Sequence, residues 1–233
     1  MNKKYQMKIV RFEEISSTND YVKEQKKQGE NLIVIAKRQT GGKGTKGRSF
    51  SSNEGGVYLT KLVFYENFPA EKVFLVMART AVAVCKTLES FGLNPVIKWA
   101  NDVFVNGRKI CGILIENAFS GKNISSSIIG VGLNVNNSLP EELSNIAISM
   151  REALGCEQDF DLVEKRLIDN LNEPYDMEEY RKRIGFLNKE ITLIENGVSS
   201  RVIPLSVGDD GALTVSVNGE IRKVFAGEVS LLV

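Results

Sequence analysis

Residues 41–49 read GGKGTKGRS, and the fold turns on what this run is attached to. Gly42, Gly44 and Gly47 have the G-x-G-x-x-G spacing of a dinucleotide-binding turn. The same run from Gly42 to Ser49 departs from a P-loop at Arg48, where that motif has Lys. Both motifs need a helix directly after the glycines, because the phosphate rests on the helix N-terminus. The preceding run NLIVIAKRQ (31–39) is short and β-branched, and it predicts a buried strand. Residues 48–56 are turn-rich, however, and VYLTKLVFY (57–65) alternates as a second strand does. The helix is missing, and neither template holds. What survives is a strand–loop–strand cradle, in which glycines let backbone N–H groups converge on an anion. Lys37, Arg38, Lys43, Lys46 and Arg48 add positive charge, and no Asp or Glu lies between Asn31 and Asn53. This suits a phosphate; a solvated basic loop accounts for the same composition.

Outward from the loop, SSTNDYVKEQKKQ (16–28) opens with hydroxyls that cap a helix. AEKVFLVMARTAVAVCKTLESFG (70–92) predicts the longest helix, stopped by Gly92. VIKWANDVFV (96–105) and RKICGILIEN (108–117) flank Asn106-Gly107, a strong hairpin signal, and SSIIGVGLNVN (126–136) reads as a further strand. The segment 161–184 carries a weaker helical pattern, and 137–184 as a whole is read as a helical stretch. After GFLNK (185–189) the texture changes to short strands, EITLIE, RVIPLSV, ALTVSV, IRKVFAG and VSLLV, broken at Asn196-Gly197, Asp209-Asp210-Gly211 and Asn218-Gly219. The expected fold is therefore α+β. A mixed or antiparallel sheet packed with helices fills 1–185, and a small β-barrel fills 186–233.

Composition narrows the chemistry. With 30 Lys and Arg against 29 Asp and Glu in 233 residues, the chain lacks the global field that nucleic acid or anionic lipid would attract. No recognition helix precedes residue 20, so DNA is not expected as a partner. No run approaches the roughly 18 apolar residues of a membrane helix, and the N-terminus lacks a signal-peptide core, so the expectation is a cytoplasmic protein without a membrane partner. Cys85, Cys111 and Cys156 are too dispersed for a disulfide framework or a C-x-x-C zinc site. Histidine is absent, which excludes His-activated nucleophiles and His-ligated metals; no protein metal site is expected. The chemistry falls to Lys, Arg, Asp, amides and backbone. A second cluster fits that requirement: Lys98, Asn101, Asp102 and Lys109 surround one tight hairpin, with Asp102 and Lys109 on facing arms. A structural salt bridge at a hairpin mouth explains the pair equally well.

Four stretches in this order, SSTN (16–19), RQTGGKGTKGRSF (38–50), KWAND…RKICGILIE (98–116) and IIGVGLNV (128–135), resemble the biotin protein ligases, and FAGEVSLLV (225–233) is similar to that family's final strands. The resemblance implies a class II synthetase-like catalytic domain with a C-terminal SH3-like barrel, in the short form without a DNA-binding domain. It implies ATP-dependent formation of biotinyl-5′-AMP from biotin and Mg-ATP, then transfer of biotin to one Lys of a biotin carboxyl carrier protein. Carried over by position, Ser17, Thr18, Asn19 and Gln39 would line the biotin end. Gly42, Lys43, Gly44, Thr45 and Arg48 would close over the adenylate. Lys109 would bind the biotin carboxylate oxygen, and Asp102 would orient or deprotonate the incoming lysine. Lys98 and Asn101 would support phosphate or metal, while Gly112 and Asn134 border biotin and nucleotide. The family's usual loop, G-R-G-R-x-G-R-x-W, differs here at Lys43, Thr45 and Phe50, and Ala100 stands where Pro is commoner. A lipoate or octanoate ligase or transferase and a non-catalytic biotin or nucleotide sensor stand as alternatives. Monomer and homodimer remain open.

Overall fold

The computed structural model describes residues 7–226 and 229–232. A seven-stranded sheet, order β1-β2-β3-β7-β6-β5-β4, is built from β1 (Lys8–Ile15), β2 (Leu32–Gln39), β3 (Val57–Pro69), β4 (Val96–Lys98), β5 (Asp102–Val105), β6 (Arg108–Ser120) and β7 (Asn123–Leu133). β1 runs parallel to β2 and every other neighbouring pair is antiparallel, so the sheet is mixed. β1 is an addition to the elements expected from sequence. Its periodicity is blurred because it is an edge strand carrying charge, with Glu14 opposite Arg38 in register and ion-paired to it at 2.7 Å. Charged edges of this kind resist pairing with stray strands.

Helix α1 (Thr18–Gln25) lies on one face of the sheet, where Val22 packs with Leu32, Val34, Leu62 and Ile128. Helix α2 (Phe74–Glu89) covers the other face through Ala81, Val84, Cys85 and Leu88. It is shorter than the 70–92 expected, because residues 70–72 form a separate 3-10 turn and the chain leaves the helix before Gly92, whose φ is +82°. Short helices α3 (Met150–Leu154), α4 (Phe160–Asn170) and α5 (Met177–Lys182) follow, with α4 and α5 packed on α2. The weakly helical stretch from 137 is open loop and a 3-10 turn before α3 begins. Lys61 of β3 is buried beneath α4 and donates to Leu171 O at 2.7 Å and Asn172 Oδ1 at 2.8 Å, so the helix end is closed by a lysine.

The C-terminal strands β8 (Ile191–Glu195), β9 (Val198–Val207), β10 (Leu213–Val217), β11 (Glu220–Val224) and β12 (Val229–Leu232) form an antiparallel sheet of order β11-β10-β9-β8-β12. Of the expected run FAGEVSLLV, residues 227, 228 and 233 lie outside the described residues. This sheet shares its apolar core with the larger one, through Leu193, Val207 and Leu213 on one side and Ile97 and Trp99 on the other. Trp99 Nε1 donates to Gly211 O at 2.9 Å across the same junction.

Candidate active site

On the α1 face, the central sheet carries glycine in two adjacent rows. Gly132 of β7 pairs with Tyr58 and Gly112, and Gly130 pairs with Thr60 and Leu114. Strand glycines in the middle of a sheet mark a place where something else comes close. A Cβ on Gly132 would stand 2.6 Å from Phe50 Cε1, one on Gly130 2.6 Å from Asn19 Oδ1, and one on Gly112 3.0 Å from both Lys109 Nζ and Phe50 Cε2. The missing side chains thus open a trough in the sheet, into which Asn19, Phe50 and Lys109 reach.

The trough is the floor of a cleft that is partly open to solvent. At one end, Ser17 caps α1 by accepting from Asp20 N, and a buried polar chain runs inward. Gln39 Oε1 accepts from Thr18 N at 2.8 Å and Thr18 Oγ1 at 3.0 Å, while Gln39 Nε2 donates to Ser52 Oγ at 3.0 Å. Thr60 Oγ1 stands 2.8 Å from Thr18 Oγ1 and 2.5 Å from Asn19 Oδ1 and gives its single proton to one of them at a time. The Asn19 amide nitrogen is buried without an acceptor among the described residues. An unmet buried donor costs about 1–3 kcal/mol, which a ligand carbonyl would recover.

At the other end stands Lys109, delivered by the β5–β6 hairpin. Asn106 and Gly107 bend it with φ of +52° and +75°, the two left-handed residues such a turn requires. Lys109 Nζ lies 2.8 Å from Asp102 Oδ1 and 5.7 Å from the Phe50 ring centre, with Phe50 beneath it as a cation–π partner. The Asp102 contact is charge against charge rather than an aligned hydrogen bond. Lys98 is nearby, half-buried; desolvation pulls its pKa down, Asp102 opposes this, and Lys109 and Arg48 add repulsion. Several cations thus converge on one carboxylate, an arrangement that favours an incoming anion.

The glycine loop joins β2 to β3 as the sequence pattern requires, with a single 3-10 turn (Thr45–Gly47) in place of a helix. It folds back on itself through Gly44 N to Arg48 O at 2.6 Å and Phe50 N to Gly42 O at 2.9 Å. Lys43, Gly44, Thr45, Asn101 and Gly112 line the cleft together with Ser17, Thr18, Asn19, Gln39 and Lys109. Gly42, Arg48, Lys98, Asp102 and Asn134 are not in its lining. Gly42 sits at the loop base, where a Cβ would meet Ser52 Oγ at 2.4 Å. Asp102 reaches the site through Lys109, and Arg48 and Lys98 through charge. Asn134 belongs to an internal network instead, donating to Ile148 O and accepting from Asn137. Thr60 and Ser52 were not singled out in the sequence. The one available signal was a hydroxyl at an inward position of VYLTKLVFY, and its partners are far away in the chain.

Comparison with known proteins agrees with this geometry. The profile of the Biotin/lipoate A/B protein ligase family matches residues 11–134, more than half of the chain. The chain belongs to this family. Among curated relatives, the bifunctional ligase/repressor BirA of Bacillus subtilis is 32% identical over 219 residues, 87% of this chain and 66% of that protein. The biotin–[acetyl-CoA-carboxylase] ligase of Mycobacterium tuberculosis is 26% identical over 215 residues, 86% of this chain and 79% of that protein. The solved structure of the biotin protein ligase from Aquifex aeolicus in complex with biotin and ATP matches with a TM-score of 0.77 at 25% identity, covering 97% of this chain and 98% of that one. The chain thus spans just under two thirds of the Bacillus family member's length and nearly all of the Aquifex one.

Proposed function

We propose that the protein is an ATP-dependent biotin protein ligase that makes biotinyl-5′-AMP and passes the biotinyl group to one lysine of a biotin carboxyl carrier domain. The observation that carries this reading is Lys109: its ammonium lines the cleft at one end, under the cationic glycine loop, while amide and hydroxyl groups line the other. A cyclic urea such as that of biotin needs donors and acceptors together, and Ser17, Thr18, Asn19 and Gln39 offer both. The acid end then falls at Lys109. In the first step a biotin carboxylate oxygen attacks the α-phosphorus of ATP and pyrophosphate leaves. In the second the carrier amine attacks the acyl carbon, its surplus proton is lost, and AMP leaves.

Lys109 would stabilise the negative charge that collects on the acyl oxygen in both steps. Asp102, already paired with Lys109 at 2.8 Å, would hold that ammonium and orient the carrier's own. The loop residues Gly42, Lys43, Gly44, Thr45 and Arg48 would cover the mixed anhydride against water. Lys98 and Asn101 would lie on the phosphate side, with Gly112 beneath the acyl chain. Among the described residues no three His, Cys, Asp or Glu side chains gather for a resident metal, so Mg²⁺ would arrive as Mg-ATP, held by the nucleotide's phosphates. The division into a catalytic unit (1–185) and a C-terminal SH3-like barrel (186–233) belongs to the same proposal. So do a cytoplasmic setting and freedom from DNA and membrane partners.

Incubation with Mg-ATP, biotin and an apo carrier domain should add one biotin to one carrier lysine, read as a mass shift, and excess lipoate should not compete. No mass shift together with no biotin-dependent ATP–pyrophosphate exchange would contradict the proposal.

A further inference from the structure

Asp20 follows directly on the three α1-end residues that line the cleft, Ser17, Thr18 and Asn19. Its carboxylate receives Lys43 Nζ at 2.7 Å, and Lys23 Nζ stands 4.0 Å from the same oxygen. Lys23 in turn pairs with Glu116 of β6 at 2.8 Å. A chain of alternating charge therefore runs from the glycine loop over α1 to the central sheet. At its base the loop is fixed by backbone bonds, Thr40 N to Ile15 O at 3.1 Å and Gly41 N to Ser16 O at 2.7 Å. The Lys43 contact fastens it further out, where it begins to cover the cleft. Asp20 suits that duty: it sits in the first turn of α1, where the helix dipole favours a carboxylate.

We propose that Asp20 is a positioning residue for the glycine loop: its carboxylate holds Lys43, and through it the loop, over the cleft, so that an acyl-adenylate is retained between its formation and its transfer. This rests on the ligase reading above. Asp20 acts through Lys43 and does not touch the reacting atoms. Both side chains are about half exposed, 49% for Lys43 and 40% for Asp20, so the pair is a weak, salt-sensitive clasp.

The test is a chase experiment without carrier. The protein is loaded with biotin and α-labelled Mg-ATP, then diluted into unlabelled ATP and biotin, and the label still bound is followed over time. Asp20→Asn should release the adenylate about threefold to fivefold faster, the range an exposed ion pair supports. Asp20→Glu should restore most of the retention. Release from the wild type should quicken as salt rises from 50 to 500 mM, about as much as the Asn substitution achieves at low salt, while the variant responds little. Biotin-dependent pyrophosphate exchange and the melting temperature should stay close to wild type in both variants. Unchanged release in Asp20→Asn, or a matching loss of exchange and melting temperature, would overturn the inference and leave Asp20 a structural residue. A wild type that forms no adenylate at all would instead sink the ligase reading. If Asp20→Asn and Asp20→Ser both fail to fold, the residue is structural and the inference falls.

Discussion

The β5–β6 hairpin and the glycine loop meet over one cleft and are built in opposite ways. The hairpin is part of a seven-stranded sheet, and Lys109 is held there by Asp102 at 2.8 Å, by Phe50 below and by the floor at Gly112. The loop has three internal backbone bonds, Gly44 N to Arg48 O, Arg48 N to Thr45 O and Phe50 N to Gly42 O, a left-handed Lys46 at φ +57°, and an exposed ion pair to Asp20. A group that must meet developing charge gains from being fixed before the reaction, because no reorganisation is then needed. A cover has to admit ligands and release products, and it is drawn from weakly held backbone. The contrast separates chemistry from retention.

Substitutions in the two halves should differ in kind, and the largest effect belongs to the hairpin. Lys109→Ala should slow transfer from preformed biotinyl-adenylate to a carrier lysine by about a hundredfold or more, the scale of losing a fixed donor to an oxyanion. Calorimetric titration should show that the same variant still binds biotin within about tenfold, since the polar end of the cleft is intact.

Lys61 tests how firm the underlying sheet is. Burial lowers its pKa from 10.5 to about 8, so between these values the folded protein is neutral there while the unfolded chain still holds the proton. The unfolded state then binds more protons, and stability should rise with pH across that window and be lost as pH falls through about 8. Denaturant melts at pH 8 and 10.5 should differ by on the order of 2 kcal/mol more in the wild type than in Lys61→Met.

Gly132→Ala tests the floor. The added Cβ would meet the Phe50 ring at 2.6 Å, and overpacking of this sort costs about 1–3 kcal/mol. Biotin affinity should fall about tenfold, and a Phe50→Ala background should absorb much of that loss, as contacting residues do in a double-mutant cycle. At the small end, Thr45→Arg adds a cation to the loop and should slow adenylate release about threefold at low salt, with transfer from bound adenylate unchanged.

Much of this was legible in the sequence. The Asn-Gly bend and the alternating apolar arms foretold the hairpin that brings Asp102 and Lys109 together, because turn type and register are local matters. The absence of a helix after the glycines followed from the strand pattern of 57–65, and β3 begins at Val57. What escaped was non-local. Edge strand β1 hides behind charges whose partners, Lys37, Arg38 and Glu164, lie elsewhere in the chain. Thr60 looks like any strand residue until Thr18 and Asn19 fold over it. Asn134 sits in a site-like motif, yet its amide is spent on Ile148 and Asn137. Only the fold shows where a side chain's hydrogen bonds go.

Biotin-dependent ATP–pyrophosphate exchange, run in parallel on the wild type, Lys109→Ala and Asp20→Asn, tests the division of labour most directly. The account predicts exchange in the wild type, a loss of about a hundredfold in Lys109→Ala, and near-wild-type exchange in Asp20→Asn. Equal losses in the two variants, or undiminished exchange in Lys109→Ala, would contradict it.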